Sequence, residues 1–249
     1  MSQLTDGEII SRCKLDSRDK ILDIGGSMKQ KEGIDVDTLV DIIRPEEAPY
    51  GPSDLKAKNF IKVDITREKL PFKKNKFDFC LCTHTLEDLS TPFLAIEEMS
   101  RVAKRGLIVT PSMGNDMVFS HLDTTNWLTG ARRVPGHGHH KWFFVKAGKK
   151  LKIMPKNYPI LYTSKFHIVD WNGEDEMVFY WEDEIDYEEV LSLKIHDLIN
   201  EYERYVEKNK EKLVFGKPIF YLDSPIFILK AYLKLLFKKG SGFEEKSAK

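Results

Sequence analysis

Hydrophobic positions in the first half of the chain fall in short runs that end on an acid, a threonine or a histidine. The runs are Lys20-Ile-Leu-Asp-Ile-Gly-Gly-Ser27, Thr38-Leu-Val-Asp41, Phe60-Ile-Lys-Val-Asp64 and Phe77-Asp-Phe-Cys-Leu-Cys-Thr-His84. Apolar runs of this length are strands of a parallel sheet buried on both faces. Their polar ends mark the carboxyl edge, where such a sheet holds a ligand. Gly25 and Gly26 let the backbone come close to that ligand, and the acids can accept hydrogen bonds from ribose hydroxyls.

Helical patterning is sparser. Thr5-Asp-Gly-Glu8 has capping-box spacing and predicts a short helix from about Asp6 to Cys13. Ser27-Met-Lys-Gln-Lys-Glu-Gly33 lacks apolar residues at helical spacing, so the first crossover is expected to be a loop or a single turn. Arg44 to Pro52 is proline-rich and predicts a loop at the crevice rim. Thr91-Pro92 starts a helix that buries Leu94, Ile96, Met99 and Val102 and that Gly106 can end, and Gly106-Leu-Ile-Val-Thr110 reads as a fifth strand.

The second half has another texture. His167-Ile-Val-Asp-Trp171 and Met177-Val-Phe-Tyr-Trp181 flank Asn172-Gly173, which predicts an antiparallel hairpin. Asp186-Tyr-Glu-Glu189 can cap a helix running to about Glu211, with Val190, Ile195, Leu198, Ile199, Tyr202, Tyr205 and Val206 inward. In the segment 225–239, Lys230, Lys234 and Lys238 form one basic stripe on an apolar helix. Such a helix either lies on a membrane surface, docks on a protein partner, or packs on the domain itself. The residues 240–249 are small and charged and are expected to be disordered.

Composition narrows the function. Thirty-nine basic residues balance thirty-nine acidic ones, so no overall positive field exists for nucleic acid. Cys13, Cys80 and Cys82 make neither a CxxC pair nor a metal-ligand set. Neither a leader pattern nor an apolar run of membrane-spanning length is seen, which gives the cytoplasm, or the inner face of a membrane, as the expected location.

The strand ends, together with Leu70-Pro-Phe72, His84-Thr-Leu-Glu-Asp-Leu89, Pro92, Glu97-Glu-Met-Ser-Arg-Val102 and Lys104-Arg-Gly106, resemble class I S-adenosylmethionine-dependent methyltransferases of the type 11 kind. The variant with a shortened first crossover and a later His140-Lys-Trp142 is similar to bacterial members associated with glycan or envelope assembly. The resemblance implies an α/β, Rossmann-like sheet of seven strands, mostly parallel with one antiparallel pair. Residues 1–182 would form that domain: a cofactor-binding core at about 14–112, a substrate-side segment at 113–150 and antiparallel strands at 151–182. A helical elaboration at 183–239 would follow. By the same resemblance Asp23, Gly25, Gly26 and Ser27 would lie under the methionine part of S-adenosyl-L-methionine. Asp41 would receive the ribose, Asp64 and Ile65 would flank the adenine, and Thr83 and His84 would lie beside the methyl group. Two departures stand out. The third family glycine is replaced at Ser27-Met28, and Asp88 stands where the family pattern usually has His.

The implied reaction is methyl transfer to a small-molecule or glycan- or lipid-linked acceptor, at oxygen. His84 is the first candidate for general base or acceptor orienter; its other role would be to shape the pocket. His140 and then His121 are second candidates. Gly136-His-Gly-His-His140 looks like a metal tract, but its glycines suggest a mobile loop and no carboxylate or thiol lies near it in sequence. No metal is therefore expected, and His140 with Trp142 is assigned to the acceptor wall. Two other classes stay open: an interaction protein on a methyltransferase scaffold, and a nicotinamide-dependent enzyme. Against the second, Gly25-Gly26-Ser27 is not a GxGxxG that opens a helix.

Overall fold

A computed structural model describes residues 4–49, 51–119, 134–190 and 193–216, with Leu229 and Leu233. His121 and all but those two leucines of the 225–239 stripe lie outside the described residues.

Helix α1 (Asp6–Cys13) begins at the expected capping box, in which Thr5 and Glu8 satisfy each other's backbone N–H groups. Strand β1 (Ile21–Ile24) is buried along its whole length. It pairs in parallel with β2 (Thr38–Asp41) on one side and β4 (Phe79–Thr83) on the other. Strand β3 (Asn59–Lys62) extends the sheet beyond β2, and β5 (Arg105–Pro111) extends it beyond β4. Between β1 and β2 the chain makes only a 3-10 turn at Gly26–Met28, as the polar composition predicts. Helix α2 (Phe93–Val102) crosses from β4 to β5 and buries Ala95, Ile96, Met99 and Val102.

The main sheet has six strands in the order β3-β2-β1-β4-β5-β9, not seven. Its one antiparallel member is β9 (Glu176–Glu182), which runs along β5 from Arg105–Glu182 to Pro111–Glu176. The strand order reverses between β1 and β4, the switch point at which an open α/β sheet leaves a crevice. A second sheet is made by β6 (Trp142–Ala147), β7 (Lys150–Pro155) and β10 (Tyr187–Glu189). Short helix α3 (Met113–Asp116) precedes it in sequence, and α4 (Tyr158–Leu161) lies between β7 and β10. Strand β8 (Ile168–Trp171) pairs with β11 (Leu213–Phe215).

Three expectations are corrected. The Asn172-Gly173 hairpin does not form, because β8 and β9 join different sheets: β9 buries Met177, Phe179 and Trp181 against the main sheet. Local turn chemistry was outweighed by that apolar alternation. Residues 187–189 are a strand rather than a first helical turn, and helix α5 runs from Ile195 to Lys208. Its Leu198 and Tyr202 are buried, whereas Ile195 is exposed. Gly106 does not end α2 but sits inside β5, where a Cβ would collide with the Cys80 carbonyl and fall 2.6 Å from the Trp181 ring. Its lack of a side chain lets the ring of its β9 partner Trp181 lie against the β5 backbone. Among the described residues, no helix is long and apolar enough to cross a membrane.

Candidate functional site

The carboxyl ends of β1, β2 and β4 frame two adjoining cavities that share Gly25. The first, about 290 Å³, is lined by Asp41, Val63, Asp64, Ile65, Thr85 and Leu89 among others. The second, about 490 Å³, lies between α1 and β9 and is lined by Asp6, Gly26, Lys31, Thr83, His84 and Glu176 among others. Together they have the size and the mixture of apolar walls and few polar groups that a small-ligand site requires.

Gly25 has a φ of 76°, and a Cβ there would collide with the Thr85 side chain. A side chain at this position would be strained and would strike the next loop. The following turn is tied down by Asp41, which accepts from the backbone N–H of Ser27 at 3.0 Å and of Ile42 at 2.6 Å. Ser27 is buried and donates its hydroxyl to the Ile43 carbonyl at 2.8 Å. Asp64 accepts from the Thr66 N–H at 3.0 Å and its hydroxyl at 2.6 Å, and these bonds hold its pKa below the ordinary carboxylate value.

Asp23 is buried directly under the glycine turn, its carboxylate occupying the space that a Gly26 Cβ would need. Its Oδ1 has no hydrogen-bond partner. Burial pushes its pKa up to about 7, despite the opposing charge of Lys31.

His84 directly follows β4 and has a φ of 52°. Its Nε2 lies 2.7 Å from Glu176 Oε1, and its Nδ1 lies 3.5 Å from Glu87 Oε1. Desolvation works to lower the His84 pKa, but the bonds to Glu176 and Glu87, with their charges, outweigh it and raise the pKa to about 9. Burial works to raise the Glu176 pKa, while His84 and the Leu4 N–H hold it below the ordinary value. At neutral pH the pair is therefore imidazolium and carboxylate.

The structure brings Gly25, Gly26, Asp41, Asp64, Ile65, Thr83 and His84 to the two cavities. It does not bring Asp23, Ser27 or His140 to their walls: Asp23 and Ser27 lie beneath the turn as its support. His140 is buried in an ion network, with Nδ1 3.0 Å from Asp116 Oδ1, and the Lys156 ammonium reaches Asp116 Oδ2 at 2.9 Å. Trp142 likewise lines neither cavity. Its indole donates to the Leu89 carbonyl at 3.0 Å and its ring packs edge-on to Phe93. Hydrogen bonds tie the His137–His140 loop to Asp116 and Lys156. Asp116 accepts from the His137 N–H at 3.0 Å, and Lys156 donates to the His137 carbonyl at 3.0 Å.

Sequence reasoning missed Asp6, Lys31, Glu87 and Glu176. Lys31 was visible as a cation in the polar crossover, but Glu176 arrives from a strand 92 residues away from its His84 partner, and no local pattern marks it.

Residues 35–110 match the family described as a methyltransferase domain. No curated protein matches the chain. Among solved structures the chain is similar to the YcgJ protein of Bacillus subtilis, with 22% identity over 43% of this chain and 50% of that one, at a TM-score of 0.32. A SAM-dependent methyltransferase from Aquifex aeolicus gives 21% identity over 44% and 65%, at a TM-score of 0.31. One from Methanosarcina mazei gives 20% identity over 56% and 71%, at a TM-score of 0.33. The chain thus spans about half the length of the Bacillus protein.

Proposed function

We propose that this chain transfers a methyl group from S-adenosyl-L-methionine to the hydroxyl of a small-molecule or glycan- or lipid-linked acceptor. The observation that supports this best is the pair of cavities meeting at Gly25, one bordered by the β2 and β3 acids and the other by the His84–Glu176 pair.

The residues suit the cofactor. Asp41 and Asp64 offer carboxylates beside the apolar sides of Val63, Ile65 and Leu89, which fits a nucleoside. Asp6 and Lys31 line the adjoining cavity as an acid and a base for an amino-acid end, and Asp23 supports the shared glycine turn from beneath. When bound, the cofactor supplies a methyl group made electrophilic by its sulfonium.

The chain's own residues then align the acceptor and exclude water. Protonated His84, held between Glu176 and Glu87, fixes the Glu176 carboxylate at the cavity wall; it does not act as a base at neutral pH. A hydroxyl oxygen becomes strongly acidic as it gains a methyl group, so a weakly basic carboxylate suffices to take its proton. Glu176, on the wall of that cavity, takes this role.

The test is incubation with methyl-labelled cofactor and cell extract, followed by fractionation into lipid, polysaccharide, protein and small molecules. Label in an alkali-stable ether of one fraction is expected with wild type and lost with Glu176→Gln. Label confined to protein or to nitrogen would overturn the oxygen assignment. A second reading, a binding protein without turnover, draws on one observation: both Asp41 oxygens already accept backbone N–H groups. Cofactor binding with no label transfer to any fraction would favour it.

A further inference from the structure

Asp88, His139 and His140 come together away from the glycine turn, and none of them has a part in the reaction just described. One ligand atom from each lies within 4.8 Å of the others. Asp88 Oδ1 is 3.7 Å from His139 Nε2 and 3.9 Å from His140 Nε2. That same oxygen is buried and has no hydrogen-bond partner. A buried carboxylate oxygen facing two imidazole nitrogens without a hydrogen bond to either is an arrangement that a cation would complete.

We propose that Asp88, His139 and His140 form a binding site for a divalent transition-metal ion of the zinc class. Ligand atoms around a tetrahedral zinc stand about 3.3–3.6 Å apart, given metal–ligand distances near 2.0–2.2 Å. Small rotations of the exposed His139 ring and of the half-exposed Asp88 side chain close the remaining gaps.

Three further features fit a metal ligand set. The His140 Nδ1 faces Asp116 Oδ1 at 3.0 Å. A proton held there for the carboxylate leaves the Nε2 lone pair on the side of Asp88, the carboxylate–histidine pairing that orients metal-bound imidazoles. The two ligand-bearing segments are fastened together, since the Lys141 N–H donates to the Glu87 carbonyl at 2.7 Å and the Trp142 indole donates to the Leu89 carbonyl. Gly136, at a φ of 55°, packs its α-carbon on Asp116, where a Cβ would collide with Oδ1. Of the nearby cations, Lys156 is neutralised by Asp116, and Lys141 donates to the Asp88 backbone carbonyl.

The donor set selects the ion. Two imidazoles and one carboxylate suit zinc, cobalt or ferrous iron better than magnesium or calcium, which favour all-oxygen sites. Three protein ligands leave a coordination position open. Asp88 also lines the smaller crevice cavity, so the ion would border the site without belonging to the glycine turn.

The experiment uses the untagged full chain, stripped with chelator and titrated with Zn²⁺ against a chromogenic competitor, with Co²⁺ absorption as a second readout. One equivalent should bind, with visible cobalt bands of imidazole and carboxylate ligation. His139→Ala and Asp88→Asn should each weaken binding by at least about tenfold, with circular dichroism unchanged because His139 is solvent-facing. Wild type that takes up no metal overturns the proposal. So does wild type that binds one equivalent no more tightly than both variants.

Discussion

The glycine turn at β1 and the His137–His140 loop are both polar constellations in an α/β domain, yet they are assembled in opposite ways. At the glycine turn the groups sit at the ends of adjacent parallel strands, and pairing such as Ile24 with Val40 and with Cys82 places them at one edge. At the histidine loop they come from three separate segments, through Asp88, Asp116 and Lys156. The first is a consequence of sheet register. The second depends on tertiary packing, and its Asp116–Lys156 pair is buried. The turn should therefore tolerate changes in stability while being sensitive in binding, and the loop the reverse.

Removing the charge at the centre of the loop should have the largest effect. Asp116→Ala leaves the Lys156 ammonium buried beside His140 without its carboxylate, and a broken buried pair typically costs about 3–5 kcal/mol. Denaturant unfolding measures this; a loss below about 1 kcal/mol would mean that the network behaves like a surface pair. Next comes Glu176→Gln, which should lower turnover by on the order of 10²–10³-fold with cofactor affinity kept. Unchanged turnover would remove Glu176 from the proton path and return attention to His84.

Asp23 tests the other side of the contrast. Its pKa near 7 lies above the ordinary 3.8, so it binds protons more readily folded than unfolded and costs stability as pH rises between those values. Asp23→Asn should therefore stabilise the ligand-free protein at pH 8, by roughly 1–3 kcal/mol, while weakening cofactor binding. A destabilised variant at that pH would show that the carboxylate supports the fold instead.

The smallest effect concerns His84. Its folded pKa of about 9 lies above 6.5. The stability it contributes is thus complete below about pH 6.5 and is lost as pH rises through about 9. His84→Gln should flatten the wild-type decline of melting temperature over that interval. Parallel curves would indicate that Glu176 and Glu87 do not hold the imidazolium.

The same contrast explains what the residues disclosed before folding. Strand ends such as Asp41 and Thr83 announce themselves because the sheet converts short apolar runs directly into position. The 3-10 turn at Gly26–Met28 was readable because its segment has no apolar stripe. Asn172-Gly173 misled because a two-residue turn signal says nothing of which sheet each flanking strand joins. Glu176 and Asp88 carried no local signal: an acid at a strand start and an acid in a polar loop are ordinary until a histidine faces them. The aspartate that departs from the family pattern at position 88 becomes intelligible only beside His139 and His140.

The most direct measurement is calorimetric titration of S-adenosylhomocysteine into the full chain, wild type and Asp41→Ala. Wild type should bind one equivalent. The variant, deprived of the carboxylate that faces the first cavity and holds the turn, should bind more weakly by about 1–3 kcal/mol. Absence of binding by wild type, or equal affinity in both proteins, would contradict the assignment of this crevice to the cofactor.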